Sequence, residues 1–132
     1  MSATQDRSTP HVLIVDDDEG IQALMKALLL RRDVVVDSAT DGDVALRKLR
    51  ERSYDSIVLD LMLPKVNGFE VVRDLKNRTP ELLKRTIVVT AVSNLMLRDF
   101  KDSELVRRVM RKPFDINEFI DEVLACAAEN SH

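Results

Sequence analysis

Five short apolar runs, each followed by a stretch of helical period, set the fold this chain can adopt. Val12–Val15, Val34–Val36, Ser56–Leu59, Thr86–Val89 and Val106–Met110 read as strands. After the first run, Ile21, Leu24, Met25, Leu28 and Leu29 recur at i, i+3, i+4, i+7 and i+8, one face of a helix ending near Arg32. Asp41 to Arg52 reads as a second helix, with Thr40 or Asp41 as its N-cap. Phe69, Val72 and Leu75 mark a third helix, Leu95 to Lys101 a short fourth, and Ile116, Phe119, Ile120, Val123 and Leu124 a fifth capped by Asp115. Parallel strands need crossover connections, and the intervening helices supply them. The expected class is α/β: a three-layer (βα)5 domain with a parallel five-stranded sheet and helices on both faces.

The polar residues stand where the strands stop. Asp16 and Asp17 follow the first strand, Asp60 the third, Thr90 the fourth and Lys112 the fifth. In an open parallel sheet these positions share one rim, where ligands bind. Taken singly, each has an ordinary reading as a cap, a turn residue or a solvated charge. Together they bring three carboxylates to one pocket. At about 4 Å and an effective dielectric near 20, each carboxylate pair costs roughly 4 kcal/mol. Such a set either protonates or takes a cation, and hard oxygen donors suit Mg²⁺. Lys112 and Thr90 add an ammonium and a hydroxyl able to hold phosphoryl oxygens, and a carboxylate can itself accept a phosphoryl group.

Four segments carry a resemblance to a known family: Val12–Asp18, Ile57–Pro64 with Gly68, Ile87–Ala91, and Lys112–Phe114. In content, order and spacing the chain resembles the receiver domains of two-component response regulators, from about Pro10 to Ala127. The resemblance implies the strand order 2-1-3-4-5. It implies Asp60 as phosphoacceptor, with Thr90 and Lys112 contacting the phosphoryl group. It implies Mg²⁺, or Mn²⁺ in its place, on Asp17, on Asp16 through water, on Asp60 and on the backbone carbonyl of Met62. It implies a cis Lys112–Pro113 bond. The implied donor is a sensor histidine kinase or a histidine phosphotransfer protein, and the implied recipient of the signal is a downstream protein or an output domain. Slow loss of the phosphoryl group is also implied, with Met62 and Val92 at positions that govern water access. Asp18 is a bystander that opens the first helix.

The resemblance breaks in two places. Val109 stands where the family often has Tyr or Phe, and Leu105–Arg108 stands where Gly-Ala-Asp is common. The output face, including Asn94–Ser103, is therefore expected to be unusual. Two other readings compete. A phosphatase working through an aspartyl phosphate would often carry an acid two residues beyond the nucleophile, and Met62 stands there. An interaction module that is never phosphorylated would not need the full acidic, Thr and Lys set.

Composition bounds the remainder. The 132 residues suit one domain: a tail over 1–10, the folded part over 11–127, and a tail over 128–132. Ending without an output domain, the chain is expected to act alone or to be part of a larger regulator. A net charge of −3 weighs against direct DNA binding, despite the Arg107, Arg108, Arg111 and Lys112 cluster. A single cysteine, Cys126, and no leader or membrane-length apolar run make the cytoplasm the expected compartment and a membrane role unexpected.

Overall fold

The computed structural model describes residues 9–130. In chain order it has β1 (His11–Val15), α1 (Glu19–Leu30), β2 (Val35–Ala39), α2 (Gly42–Glu51), β3 (Ser56–Asp60) and α3 (Gly68–Arg78). A 3₁₀ segment, Pro80–Arg85, leads into β4 (Thr86–Thr90). Then come α4 (Asn94–Arg98), a second 3₁₀ segment over Lys101–Glu104, β5 (Arg108–Arg111) and α5 (Ile116–Asn130). The sheet order is β2-β1-β3-β4-β5 and every pairing is parallel. The three-layer (βα)5 architecture read from the sequence is therefore the one observed.

Alternation along the strands builds two cores. Leu13, Val15, Ile57, Leu59 and Val88 point to the side of α2 and α3, packing with Ala45, Val71, Val72 and Leu75. Val12, Ile14, Val58, Ile87 and Val89 point the other way, packing with Met25, Leu29, Phe119 and Val123 of α1 and α5. Burial on both faces is why β1, β3 and β4 read as unbroken apolar runs. Each helix begins on a side-chain acceptor. Asp18, Asp41, Asn67, Ser93 and Asp115 accept from the N–H groups of Ile21, Val44, Glu70, Met96 and Glu118. Such caps contribute about 1 kcal/mol each.

Several boundaries differ from the sequence reading. β2 starts one residue later and runs on through Asp37 and Ser38 to Ala39. It is an edge strand, so its polar residues find partners outside the core. Asp37 Oδ2 accepts from Tyr54 Oη at 2.7 Å, and the Ser38 carbonyl accepts from Lys48 Nζ at 2.6 Å. β5 starts two residues later than expected. Val106 is taken into the core, and the Arg107 N–H donates to the carbonyls of Leu83 and Thr86. α4 stops at Arg98 because Phe100 turns inward, its ring edge-on to Phe69 at 5.3 Å. The tail expected over 128–132 begins too early. α5 continues to Asn130, held by Asn130 Nδ2 on the Cys126 carbonyl at 2.8 Å and by Glu129 on Arg107 at 2.7 Å. The expected N-terminal tail falls mostly outside the described residues, although the Pro10 carbonyl accepts from the Val35 N–H.

Gly68 sets how closely α3 approaches the end of β3. Its N–H donates to the Leu61 carbonyl at 3.0 Å, and a Cβ there would lie 2.4 Å from both the Asp60 carbonyl oxygen and the Leu61 Cα. Both obstacles are backbone, so the strand end itself would have to move. Gly68→Ala is expected to destabilise the protein by about 1–3 kcal/mol, measured by urea unfolding. An unchanged midpoint would show that α3 can retreat freely.

Candidate functional site

The rim beyond β1, β3, β4 and β5 gathers the residues singled out in the sequence. Order reverses at β1, whose neighbours β2 and β3 lie on opposite sides, and a crevice opens beyond the strands at such a point. Asp16 directly follows β1 and Asp60 ends β3, both almost out of solvent, Asp60 at 4 % exposure. Asp17, one residue further, is exposed. Carboxylate oxygens of Asp16, Asp17 and Asp60 all lie within 4.8 Å of one another. Lys112 reaches in from the end of β5. Its Nζ donates to Asp16 Oδ2 at 2.9 Å and to Asp60 Oδ2 at 3.0 Å.

The two buried carboxylates each have a backbone donor that fixes them. Asp60 Oδ1 accepts from the Met62 N–H at 3.0 Å, and Asp16 Oδ1 accepts from the Asp18 N–H at 2.9 Å. Thr90 is fully buried at the end of β4, one residue past Val89, the sheet partner of Asp60. Its Oγ1 accepts from the Val92 N–H at 3.1 Å, and its carbonyl accepts from the Lys112 N–H at 2.8 Å. The Lys112–Pro113 bond is cis, as the resemblance implied. Asp18 caps α1, the bystander role expected of it. Met62 is 53 % exposed, whereas Val92 is 5 % exposed and packed into the core. Of these two apolar residues, only Met62 is open to solvent.

Charge is unbalanced here. Burial raises the Asp60 carboxyl above the usual range. The Met62 N–H and Lys112 pull it down and the Asp16 charge pushes it up, with a net rise. For Lys112, burial favours the neutral amine, but the hydrogen bonds and charges of Asp16 and Asp60 outweigh it and the ammonium is held. One ammonium faces three carboxylates, so two negative charges are left over. The donor set is all oxygen and includes an exposed carboxylate, which fits a hard divalent ion that keeps some of its water.

Sequence reasoning missed two residues next to this rim. Gln22 is 8 % exposed, and its Nε2 donates to the Asp16 and Ala39 carbonyls at 2.7 and 2.6 Å. The available signal was a polar residue in the same stripe as Met25 and Leu29. Arg111 donates to the Val92 carbonyl at 3.2 Å. No spacing rule would find it. The basic cluster is otherwise engaged in place. Arg107 pairs with Glu122 and Glu129, and Arg108 with Glu118 and Glu122. Among the described residues no helix is long and apolar enough to cross a membrane.

Known proteins resemble this chain in sequence and in fold. The family model for the response regulator receiver domain matches residues 12–124. The chain is 31 % identical over 119 residues to the response regulator ArlR of Staphylococcus epidermidis, covering 87 % of this chain and 51 % of ArlR. It is 32 % identical over 127 residues to the transcriptional regulatory protein TrcR of Mycobacterium tuberculosis, covering 96 % of this chain and 49 % of TrcR. The chain thus spans about half the length of these relatives. Among solved structures, a Francisella response regulator receiver domain superposes with a TM-score of 0.79 at 27 % identity, covering 92 % of this chain and 98 % of that one. The Thermotoga maritima response regulator TrrA, solved in complex with Mg²⁺-BeF, superposes with a TM-score of 0.77 at 28 % identity, covering 89 % and 99 %. Sheet order, rim residues and these matches agree, and the chain belongs to the response-regulator receiver-domain family.

Proposed function

We propose that this receiver domain accepts a phosphoryl group on Asp60 from a phosphohistidine donor, in a reaction that depends on Mg²⁺ and is largely catalysed by the receiver's own residues. The observation that carries this reading is Lys112 Nζ shared between Asp16 and Asp60, with Asp17 open beside them. Asp16, Asp17, Asp60 and the Met62 carbonyl would hold the ion, with Mn²⁺ as a substitute. When bound, it supplies positive charge against which an anionic phosphoryl group can approach a carboxylate. A carboxylate oxygen of Asp60 attacks phosphorus as the P–N bond breaks. The donor imidazole leaves with the bonding pair and takes up a proton. Lys112, held as an ammonium by its two acids, is placed to neutralise an incoming phosphoryl oxygen. The Thr90 hydroxyl is free to donate to another, because in its present bond to Val92 it is the acceptor.

The donor is a sensor histidine kinase or a histidine phosphotransfer protein. An apolar groove of about 520 Å³, lined by Ile21, Leu24, Met25, Pro113, Phe114 and Ile116, opens beside Lys112 and offers that protein a seat next to Asp60. The signal passes to a downstream protein or an output domain. Turning Thr90 toward the phosphoryl group would remove the acceptor of the Val92 N–H. The β4–α4 loop, tethered at the Val92 carbonyl by Arg111, would then shift. Val109 has no aromatic ring to rotate, so the response falls on α4 and the segment after it. The receiver is expected to work in the cytoplasm.

Intact-mass analysis after incubation with acetyl phosphate tests the acceptor. Wild type with Mg²⁺ gains one phosphoryl group, whereas wild type without metal and Asp60→Asn with metal gain none. Lys112→Ala is expected to slow the gain by about a hundredfold, a charge-stabilisation loss of roughly 3 kcal/mol. Modification of Asp60→Asn to the wild-type extent would remove Asp60 from its role.

Burial and the Asp16 charge raise the Asp60 carboxyl, so its ionised form costs the metal-free fold stability at neutral pH. Asp60→Asn is expected to stabilise the metal-free protein at pH 7 by about 1 kcal/mol, roughly 4 °C in melting temperature. The advantage should shrink as pH falls through the raised Asp60 pKa and vanish below the ordinary carboxylate value, where Asp60 is neutral in both folded and unfolded chains. Mg²⁺ should raise the melting temperature of wild type more than that of the variant. A variant that melts below wild type at pH 7 would contradict the repulsion described here.

Hydrogen exchange tests the route of the signal. Phosphorylation should change protection across Asn94–Ser103 more than at β5. Equal exchange in that segment before and after phosphorylation would count against the loop as the moving part.

A further inference from the structure

Gln22 is a buried polar side chain on the inner face of α1. Both groups facing its amide are carbonyls, those of Asp16 and Ala39, so the nitrogen end must be turned toward them. The Ala39 carbonyl also accepts from the Asp16 N–H at 3.1 Å. Gln22 therefore clasps the end of β1 to the end of β2 just where the chain enters the acidic loop.

The Asp16 carbonyl belongs to the planar peptide whose nitrogen is that of Asp17. Holding that oxygen holds the peptide plane leading into Asp17. On the far side of Asp17, the Asp18 N–H is held by Asp16 Oδ1 at 2.9 Å. Asp17 thus hangs between two fixed peptides. Its exposed carboxylate enters no hydrogen bond or ion pair among the described residues, so the backbone alone aims it at Asp16 and Asp60.

We propose that Gln22 is a positioning residue for the divalent-cation site: by fixing the Asp16 carbonyl it directs the Asp17 carboxylate into the donor set. The inference rests on reading Asp16, Asp17 and Asp60 as a cation site. Outer groups that orient metal ligands commonly govern affinity by tenfold or more.

The test is titration of the full chain with MgCl₂, followed by the amide ¹H–¹⁵N shifts of Asp17 and Met62. Wild type is compared with Gln22→Met, Gln22→Asn, Asp17→Asn and the Asp17→Asn/Gln22→Met double variant. Methionine keeps the length of Gln22 and removes its donors; asparagine keeps the amide and is one methylene too short to reach both carbonyls. The half-saturating Mg²⁺ concentration should rise about tenfold in both single Gln22 variants. Adding Gln22→Met to Asp17→Asn should change it less than twofold. If Gln22→Met does not give a folded spectrum, Gln22→Asn and its Asp17→Asn double decide by the same criteria. Single Gln22 variants that bind Mg²⁺ within twofold of wild type overturn the inference alone. A tenfold loss that persists in the Asp17→Asn background overturns it as well, because Gln22 would then act through something other than Asp17. Wild type that shows no Mg²⁺-dependent shift overturns the cation-site reading, and this inference with it.

Discussion

Lys112 Nζ donates to Asp16 and to Asp60, partners 96 and 52 residues away along the chain. The rest of the site depends on this bridge. Two carboxylates at adjacent strand ends, both nearly out of solvent, would repel each other strongly without a charge between them. The ammonium lowers that cost without removing it, because a third carboxylate stands beside the pair. A pocket left with net negative charge is a poor structural device and a good receptor for a divalent cation. Its geometry is set by the sheet, since strand register decides which residues come to the rim together. Asp60 pairs with Val89 and Thr90 with Arg111, so each polar group occupies the last position of its strand or the one just beyond.

Much of this was legible in the sequence. β1, β3 and β4 are covered on both faces, so their burial shows as plain apolar runs that stop at an acid or a threonine. The strand boundaries that slipped furthest belong to the edge strands. Asp37, Ser38 and Arg111 lie in β2 and β5 because an edge strand gives polar side chains room to find partners outside the core. Single-sequence patterning treats such residues as loop. Gln22 was missed for a related reason. Its partners are backbone carbonyls of Asp16 and Ala39, and a backbone acceptor leaves no trace in residue identity. The Asp16, Asp17, Asp60, Thr90 and Lys112 set could be found because all five are side-chain functions at strand ends, where topology alone brings them together.

The departures at Val109 and Leu105–Arg108 acquire a physical meaning in the fold. Val109 is partly buried against the core on the α2–α3 side. Arg107 and Arg108 on either side of the β5 start are committed to Glu118, Glu122 and Glu129 of α5. β5 is thereby tied to α5 by paired charges along its outer edge, which leaves little freedom for a movement there. What stays loosely held is the chain between β4 and the second 3₁₀ segment. α4 is five residues long, has no buried residue, and leaves Leu95 69 % exposed.

That contrast decides where a charge event at the rim can go. β4 is buried along its whole length and packed between β3 and β5, so displacing it would disrupt both cores. The β4–α4 loop hangs from few contacts, chief among them the Thr90 Oγ1 bond to the Val92 N–H and the Arg111 bond to the Val92 carbonyl. Elements with few buried contacts open at the lowest free energy. A hydroxyl that changes partner at Thr90 removes one of the two hydrogen bonds to the Val92 backbone while the Val92 side chain stays packed in the core, a loss comparable to the net worth of one hydrogen bond, about 1 kcal/mol. That is small against the stability of the sheet and large against the stability of a five-residue helix. An electrostatic change at the buried strand ends is therefore expected to reach the short α4 segment before it disturbs the sheet.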